Sequence, residues 1–174
     1  MSANRATEAT LRDGTRVRIR PIQRDDLELE RRFVEGLSTR TGYLRLLSGR
    51  HPTPDELKRW TDIEPAREIA IIAVAPDGDA EQEVGVARCA IDREDPTRWD
   101  FAVVLADTWQ GRGLGEALLR RLLELAEEAG IAVLSSVTLS ENRAMLSLAK
   151  RLGFIARREI GDATLMRIER RLRS

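Results

Sequence analysis

The stretch WQGRGLGEALLRRL, Trp109 to Leu122, sets Gly111, Gly113 and Gly115 at alternate positions in front of a helical pattern. A helix start carries backbone N–H groups without partners and the positive end of the dipole, so it favours an anion. Glycines let the chain turn so that several N–H groups converge, and they leave no Cβ in a ligand's way. A tight strand-to-helix turn without a ligand uses the same residues, so the glycines alone leave both readings open. Two phosphate sites fail on named residues. The nucleotide loop needs Gly-x-x-x-x-Gly-Lys-Ser/Thr, and no Lys follows Glu116 in this stretch. The dinucleotide fingerprint Gly-x-Gly-x-x-Gly ends on Glu116 if counted from Gly111 and on Leu118 if counted from Gly113. The next strand carries Ser135-Ser136, without the acid that would bind a ribose.

Other reactive side chains are few. His51 is the sole histidine and precedes Pro52, which reads as a loop position. Cys89 is the sole cysteine, so no intramolecular disulfide forms, and on an apolar strand it reads as a small core residue. His51 and Cys89 together cannot make a multi-cysteine zinc site, and no metal site is expected. Without a second histidine or a metal motif, a cysteine nucleophile has no support.

The elements around the glycines follow from periodicity. Val17 and Ile19 alternate with arginines over Thr15–Pro21, as in a half-buried strand. Leu27, Leu29, Phe33, Val34 and Leu37 recur at roughly helical spacing, predicting a helix over Arg24–Gly36. Ser38 caps a short helix predicted through Leu47, with Tyr43, Leu44 and Leu47 on one face. Thr53 as N-cap and Pro54 in the first turn predict another helix. Glu68–Val74, Glu83–Ile91 and Arg98–Leu105 predict three meandering strands, the first pair antiparallel across the Pro76–Asp79 turn. Gly113–Ala129 predicts the longest helix, with Leu114, Ala117, Leu118, Leu122, Leu125 and Ala129 as its apolar stripe and Gly130 as its end. A strand over Ile131–Leu139, a helix over Asn142–Leu152 and strands over Phe154–Arg158 and Ala163–Ile168 complete the chain. This order predicts an α+β (mixed α/β) single domain, a central mixed, mostly antiparallel sheet flanked by helices.

A chain of 174 residues suits one domain with a real core. Residues 1–13 are polar and irregular, predicting a mobile tail ahead of a domain over 14–174. Lys+Arg and Asp+Glu both number 29, and the zero net charge argues against a general nucleic-acid partner. The N-terminus has no apolar signal-peptide core, and no apolar run approaches the ~20 residues that span a bilayer. A cytoplasmic protein with no membrane partner is the simplest expectation; a homodimer stays open.

Gln110, Gly113 and Gly115 stand at Q-x-x-G-x-G spacing after the strand FAVVL, and ENRAMLSLAKRLGF (141–154) opens a helix with Asn and closes on L-G-F. On these residues the chain, over about residues 15–170, resembles the GNAT superfamily of N-acetyltransferases, whose loop holds the pyrophosphate of acyl-CoA. LSTRTGYLRLL (37–47), HPTPDEL (51–57) and DFAVVLADTWQGRGLG (100–115) look like the acetyltransferase domain of bacterial protein-lysine acetyltransferases. In that group the domain is often fused to an acyl-CoA synthetase-like or cyclic-nucleotide-binding domain; here it is expected to stand alone.

The resemblance implies acetyl-CoA as cosubstrate and assigns roles. The backbone of Val103, Val104 and Leu105 would bind the pantetheine arm. Gln110 and the N–H groups of Gly111, Arg112, Gly113, Leu114, Gly115 and Glu116 would hold the pyrophosphate. The Arg112 side chain would add a charge-assisted contact, unless it is a solvated loop arginine. Asn142 matches the Asn that meets the cofactor arm, and equally suits a helix N-cap. Lys150 and Arg151 would reach the 3′-phosphate, although cations at a helix C-terminus are the preferred reading.

A lysine amine, with a pKa of ~10.4, must lose a proton before it attacks a thioester. Asp100 stands where the protein-acetylating relatives carry a Glu as base, one methylene longer. Its alternative is a strand-edge acid paired with Arg98 or another arginine. Many members carry a Tyr in the Asn-headed helix as acid for the thiolate; the matching position is Ala149, and Tyr43 becomes the candidate donor. Direct attack without an acyl-enzyme follows. The first functional reading is thus N-acetylation of a protein lysine, for example on an acyl-CoA synthetase. A small-molecule amine acceptor and a non-catalytic acyl-CoA-binding regulatory module are the alternatives. The acceptor groove is expected from about residues 24–63, where Glu28, Glu30, Glu35, Asp55 and Glu56 either attract a cationic lysine region or solvate helix faces.

Overall fold

In the computed structural model, which describes residues 5–41 and 51–172, the apolar alternation resolves into an eight-stranded sheet. The strands are β1 (Thr7–Thr10), β2 (Arg16–Pro21), β3 (Glu68–Asp77), β4 (Ala80–Ile91), β5 (Arg98–Leu105), β6 (Val133–Leu139), β7 (Ile155–Glu159) and β8 (Asp162–Arg171). The helices are α1 (Leu27–Glu35), α2 (Pro54–Thr61), α3 (Leu114–Glu128) and α4 (Arg143–Arg151). The spatial order is β1-β2-β3-β4-β5-β6-β8-β7, and every neighbouring pair is antiparallel except β5 with β6. A parallel pair needs a crossover, and α3 supplies it.

The strands turn alternate residues to two cores. Val17, Ile19, Ile71, Ala73, Ala87, Cys89 and Phe101 pack toward α3, and Ile72, Val74, Val86 and Val104 pack with Phe33 of α1 on the other face. The α3 stripe is wider than the spacing predicts. Leu114, Leu118, Leu119, Leu122 and Ala126 are all fully buried, whereas Ala129 is exposed. Gly85 of β4 makes this contact close: a Cβ there would lie 2.9 Å from Leu118 Cδ1 and 3.0 Å from Leu105 Cδ2. Phe101 and Phe154 then tie β5 to the segment after α4, with ring centroids 5.0 Å apart.

Residues 7–13 are not the mobile tail expected. Thr7–Thr10 pairs with β2 in the register Thr7↔Ile19 to Thr10↔Arg16, and Leu11 is buried in the α3 core. An edge strand is held by its backbone hydrogen bonds and one covered face, so a sequence as polar as TEAT hides it. The helix predicted over Ser38–Leu47 begins as expected. Ser38 Oγ accepts the Thr41 N–H at 3.2 Å and residues 39–41 are helical; the rest of it, Tyr43 included, lies outside the described residues.

Candidate active site

Gly111 and Gly113 both have positive φ, +74° and +92°, and Gly113 is the N-cap of α3. In that region a Cβ is strained, which is why glycine occupies both positions. The first helical bond runs from Ala117 N–H to Gly113 O at 3.2 Å, so the N–H groups of Leu114, Gly115 and Glu116 precede the ladder and face out of the helix start. A Cβ on Gly111 would meet nothing within 4 Å, so the space over the loop is open. Gly115 packs at the start of α3 beside Leu148 and Leu105, where a Cβ would make ordinary contacts at 3.4 and 3.5 Å.

Gln110 and Arg112 are engaged within the protein. Gln110 Nε2 donates to Leu105 O (3.4 Å) and Thr41 Oγ1 (3.3 Å), joining the loop to the end of β5 and to the helix that starts at residue 39. Asp107 strengthens that link by accepting from Thr41 Oγ1 (2.7 Å) and Ser38 N–H (3.1 Å). Arg112 stacks on Trp109 at 4.2 Å, donates to Thr15 Oγ1 at 2.9 Å and pairs with Asp13 at 2.7 Å. Asn142 caps α4, accepting from Met145 N–H (3.3 Å) and donating to Thr138 Oγ1 (3.1 Å). Lys150 and Arg151 sit in the last turn of α4, and Arg151 reaches Glu116 only at 3.8 Å.

Beside the loop, the sheet opens. β5 and β6 pair only over Arg98–Asp100 with Val133–Ser135. Beyond that point β5 keeps β4 as partner to Leu105 and β6 keeps β8 to Leu139, but the two strands no longer pair with each other. Val103, Val104 and Leu105 therefore border a split whose far end is the glycine loop. An open anion cradle and a free strand edge in line with it fit an extended ligand with a phosphate head, as acyl-CoA is. The groove of about 500 Å³ between Gln23, Thr61, Ile63 and Ile71 is lined in part by the 24–63 segment but by none of the candidate cofactor-binding or catalytic residues.

Asp100 stands at the closed end of the split, opposite Ala90 of β4 and Ser135 of β6. Its carboxyl is pushed above the ordinary value of 3.8, first by burial and then by the negative charge of Asp92; Arg167 and Arg98 pull against that rise. Asp92 itself is held ionised by the N–H groups of Glu94 (2.7 Å) and Asp95 (3.2 Å). Arg98 pairs instead with Glu169 at 3.6 Å, and Arg167 with Glu159 at 2.9 Å and Ser135 Oγ at 3.0 Å. The sequence shows the DREDP turn but not that Asp92 shares a strand face with Asp100, which only the β4–β5 register decides.

Most of the acids considered for the acceptor side have partners within the fold. Arg31 bridges Glu28 and Glu35 along α1, and Glu56 completes the Thr53 capping box. Glu30 is fully buried, 3.6 Å from Arg88 of β4, whose guanidinium also donates to Trp60 O at 3.3 Å. That cluster binds α1 and α2 to the strand next to Asp100, and no local motif announces it. His51 is exposed ahead of α2. Cys89 is buried and its thiol is pushed up to about 12 by that burial, which leaves it inert as a nucleophile.

Residues 16–155 match the profile of the acetyltransferase (GNAT) domain. The chain is 35% identical over 156 residues to Acetyltransferase PA5475 of Pseudomonas aeruginosa, covering 89% of this chain and 83% of that protein. The crystal structure of the GNAT domain of S. lividans PAT superposes with a TM-score of 0.86 at 24% identity, over 96% of this chain and 97% of that one. The structure of yncA from Salmonella typhimurium, solved with its cofactor acetyl-CoA, superposes with a TM-score of 0.71 at 19% identity, over 90% of this chain and 94% of that one. The chain belongs to the GNAT acetyltransferase family and is an acetyltransferase.

Proposed function

We propose that the protein transfers the acetyl group of acetyl-CoA to the side-chain amine of a protein lysine by direct attack. The observation that carries this is the placement of the glycine loop and Asp100 at opposite ends of one β5 edge. Asp100 to Leu105 spans roughly 17 Å at ~3.3 Å per residue, room for an extended arm between the cradle and the carboxylate.

When bound, acetyl-CoA supplies the electrophilic thioester carbonyl and the thiol leaving group. The N–H groups of Leu114, Gly115 and Glu116 hold the pyrophosphate, and the free backbone edge of Val103–Leu105 holds the arm as an added strand would. Asp100 takes a proton from the incoming ammonium. Its raised pKa brings it nearer the range in which a base is both ionised and effective. Being one methylene shorter than Glu, it works through a water. Ala149 is buried and has no proton to give, so Tyr43 remains the proposed donor to the thiolate.

Two features support a protein acceptor over a small amine. LSTRTGYLRLL and HPTPDEL are similar to the corresponding stretches of protein-lysine acetyltransferases. Val137, Leu139 and Leu165 also share the Asp100 face of the sheet and stay partly exposed, a shallow apolar surface on which a folded segment can rest. The test is incubation with labelled acetyl-CoA and an acyl-CoA synthetase, lysine peptides, amino acids and polyamines in parallel. The expected outcome is the highest kcat/KM on a protein lysine. A small amine as the best acceptor overturns the lysine assignment, and acetyl-CoA binding without transfer overturns catalysis itself.

A further inference from the structure

The β1–β2 turn lies against the glycine loop although β1 is an edge strand and β5, which leads into the loop, is interior. Leu11 inserts into the same core as Leu114 and Leu118, and Arg12 N–H donates to Arg112 O at 3.3 Å. Two arginines meet there in different conditions. Arg112 is committed: Asp13, Thr15 and the Trp109 ring surround its guanidinium. Asp13 is a fixed anchor, its carboxyl lowered to about 2 by the backbone and hydroxyl of Thr15 and then by Arg112. Arg12 is exposed and, among the described residues, makes no ion pair. Its Nε and Cγ lie 3.4 and 3.6 Å from the place a Cβ on Gly113 would take, so its side chain runs across the start of α3.

We propose that Arg12 is the side chain that meets the pyrophosphate of acyl-CoA, and that Arg112 is a positioning residue that fixes the shape of the glycine loop. This rests on the reading of that loop as an acyl-CoA site. A guanidinium already bound on three sides must give up those partners to reach a phosphate, whereas Arg12 loses none. Arg12 also adds its charge where the helix dipole already favours an anion. Glu116 is within electrostatic reach of Arg12 but accepts its hydrogen bonds from Arg120, at 2.8 Å.

The experiment is calorimetric titration of the full chain with CoA and with 3′-dephospho-CoA, alongside steady-state kinetics. Arg12→Gln is expected to weaken both ligands about tenfold, the size of one charge-assisted hydrogen bond, and to raise the KM for acetyl-CoA with kcat kept. Arg12→Lys recovers part of the loss. Arg112→Gln and Asp13→Asn are each expected to raise the same KM, with the double variant less than additive, because the two share the Asp13–Arg112 contact. Adding Arg12→Gln to Asp13→Asn gives a further, independent loss. Wild-type affinity in Arg12→Gln overturns the proposal, as does a loss that vanishes with 3′-dephospho-CoA, which moves Arg12 to the 3′-phosphate. A wild-type chain without affinity for CoA removes the acyl-CoA reading instead.

Discussion

At the glycine loop the proposed binding groups are main-chain N–H groups of Leu114–Glu116, presented by a helix start and by Gly113 at φ +92°. Upstream, the proposed base is one carboxylate, Asp100, tuned by Asp92, Arg98 and Arg167 from a turn and two strands. The first site is carried mainly by backbone conformation, with Arg12 and Arg112 as its flanking side chains. The second is carried by side chains from segments far apart in the chain. A backbone site therefore fails when a Cβ is added, while a side-chain site fails when a charge is moved.

The largest effect expected is at the backbone site. Gly113→Glu imposes a strained φ, crowds Arg12 and puts a negative charge in the cradle, so CoA affinity should fall at least ~100-fold by calorimetry. Unchanged affinity would separate the loop from the ligand altogether. Asp100→Asn should leave CoA affinity intact and lower kcat about 100-fold, the low end for loss of a general base. Its stability should not fall. The folded-state pKa of Asp100 is raised, so the favourable protonated form is present at low pH and lost as pH rises through the window above 3.8; Asn removes that cost. Reduced CoA affinity in this variant would dissolve the division between the two sites.

A subtler test moves the charge without touching the base. The rate should fall on acidification as Asp100 takes up a proton. Asp92→Asn removes one cause of its raised pKa, so the acid limb of the kcat profile should shift to lower pH. An unmoved limb would mean that burial alone sets the value. The smallest effect belongs to the core beneath both sites. Cys89→Ala should keep activity within about twofold and cost about 1 kcal/mol of stability in denaturant unfolding. A large loss of activity there would contradict direct attack.

Much of the fold was legible because periodicity reports burial directly. The strands at Arg16–Pro21, Glu68–Asp77 and Arg98–Leu105 and the helix at Leu114–Glu128 lie within a few residues of their predicted spans, and the helix at Pro54–Thr61 starts where its cap predicts. β1 was not legible, since its stability comes from pairing and not from its own composition. At the site, the glycines and Gln110 were readable by spacing. The sequence offered Arg112 as a phosphate contact, and the structure turns its guanidinium to Asp13, an anchor within the supposed tail.

The sequence by itself determined the order of the elements from Arg16 onward, the helix-flanked sheet and the glycine-led start of α3. These depend on local periodicity and on residues whose backbone freedom is intrinsic. Tertiary structure alone decided that β5 and β6 part after Asp100, that Asp92 crowds that carboxylate, and that the β1–β2 turn reaches the loop. Each of those depends on register and long-range packing, which bring together residues whose types carry no mark of their eventual neighbours.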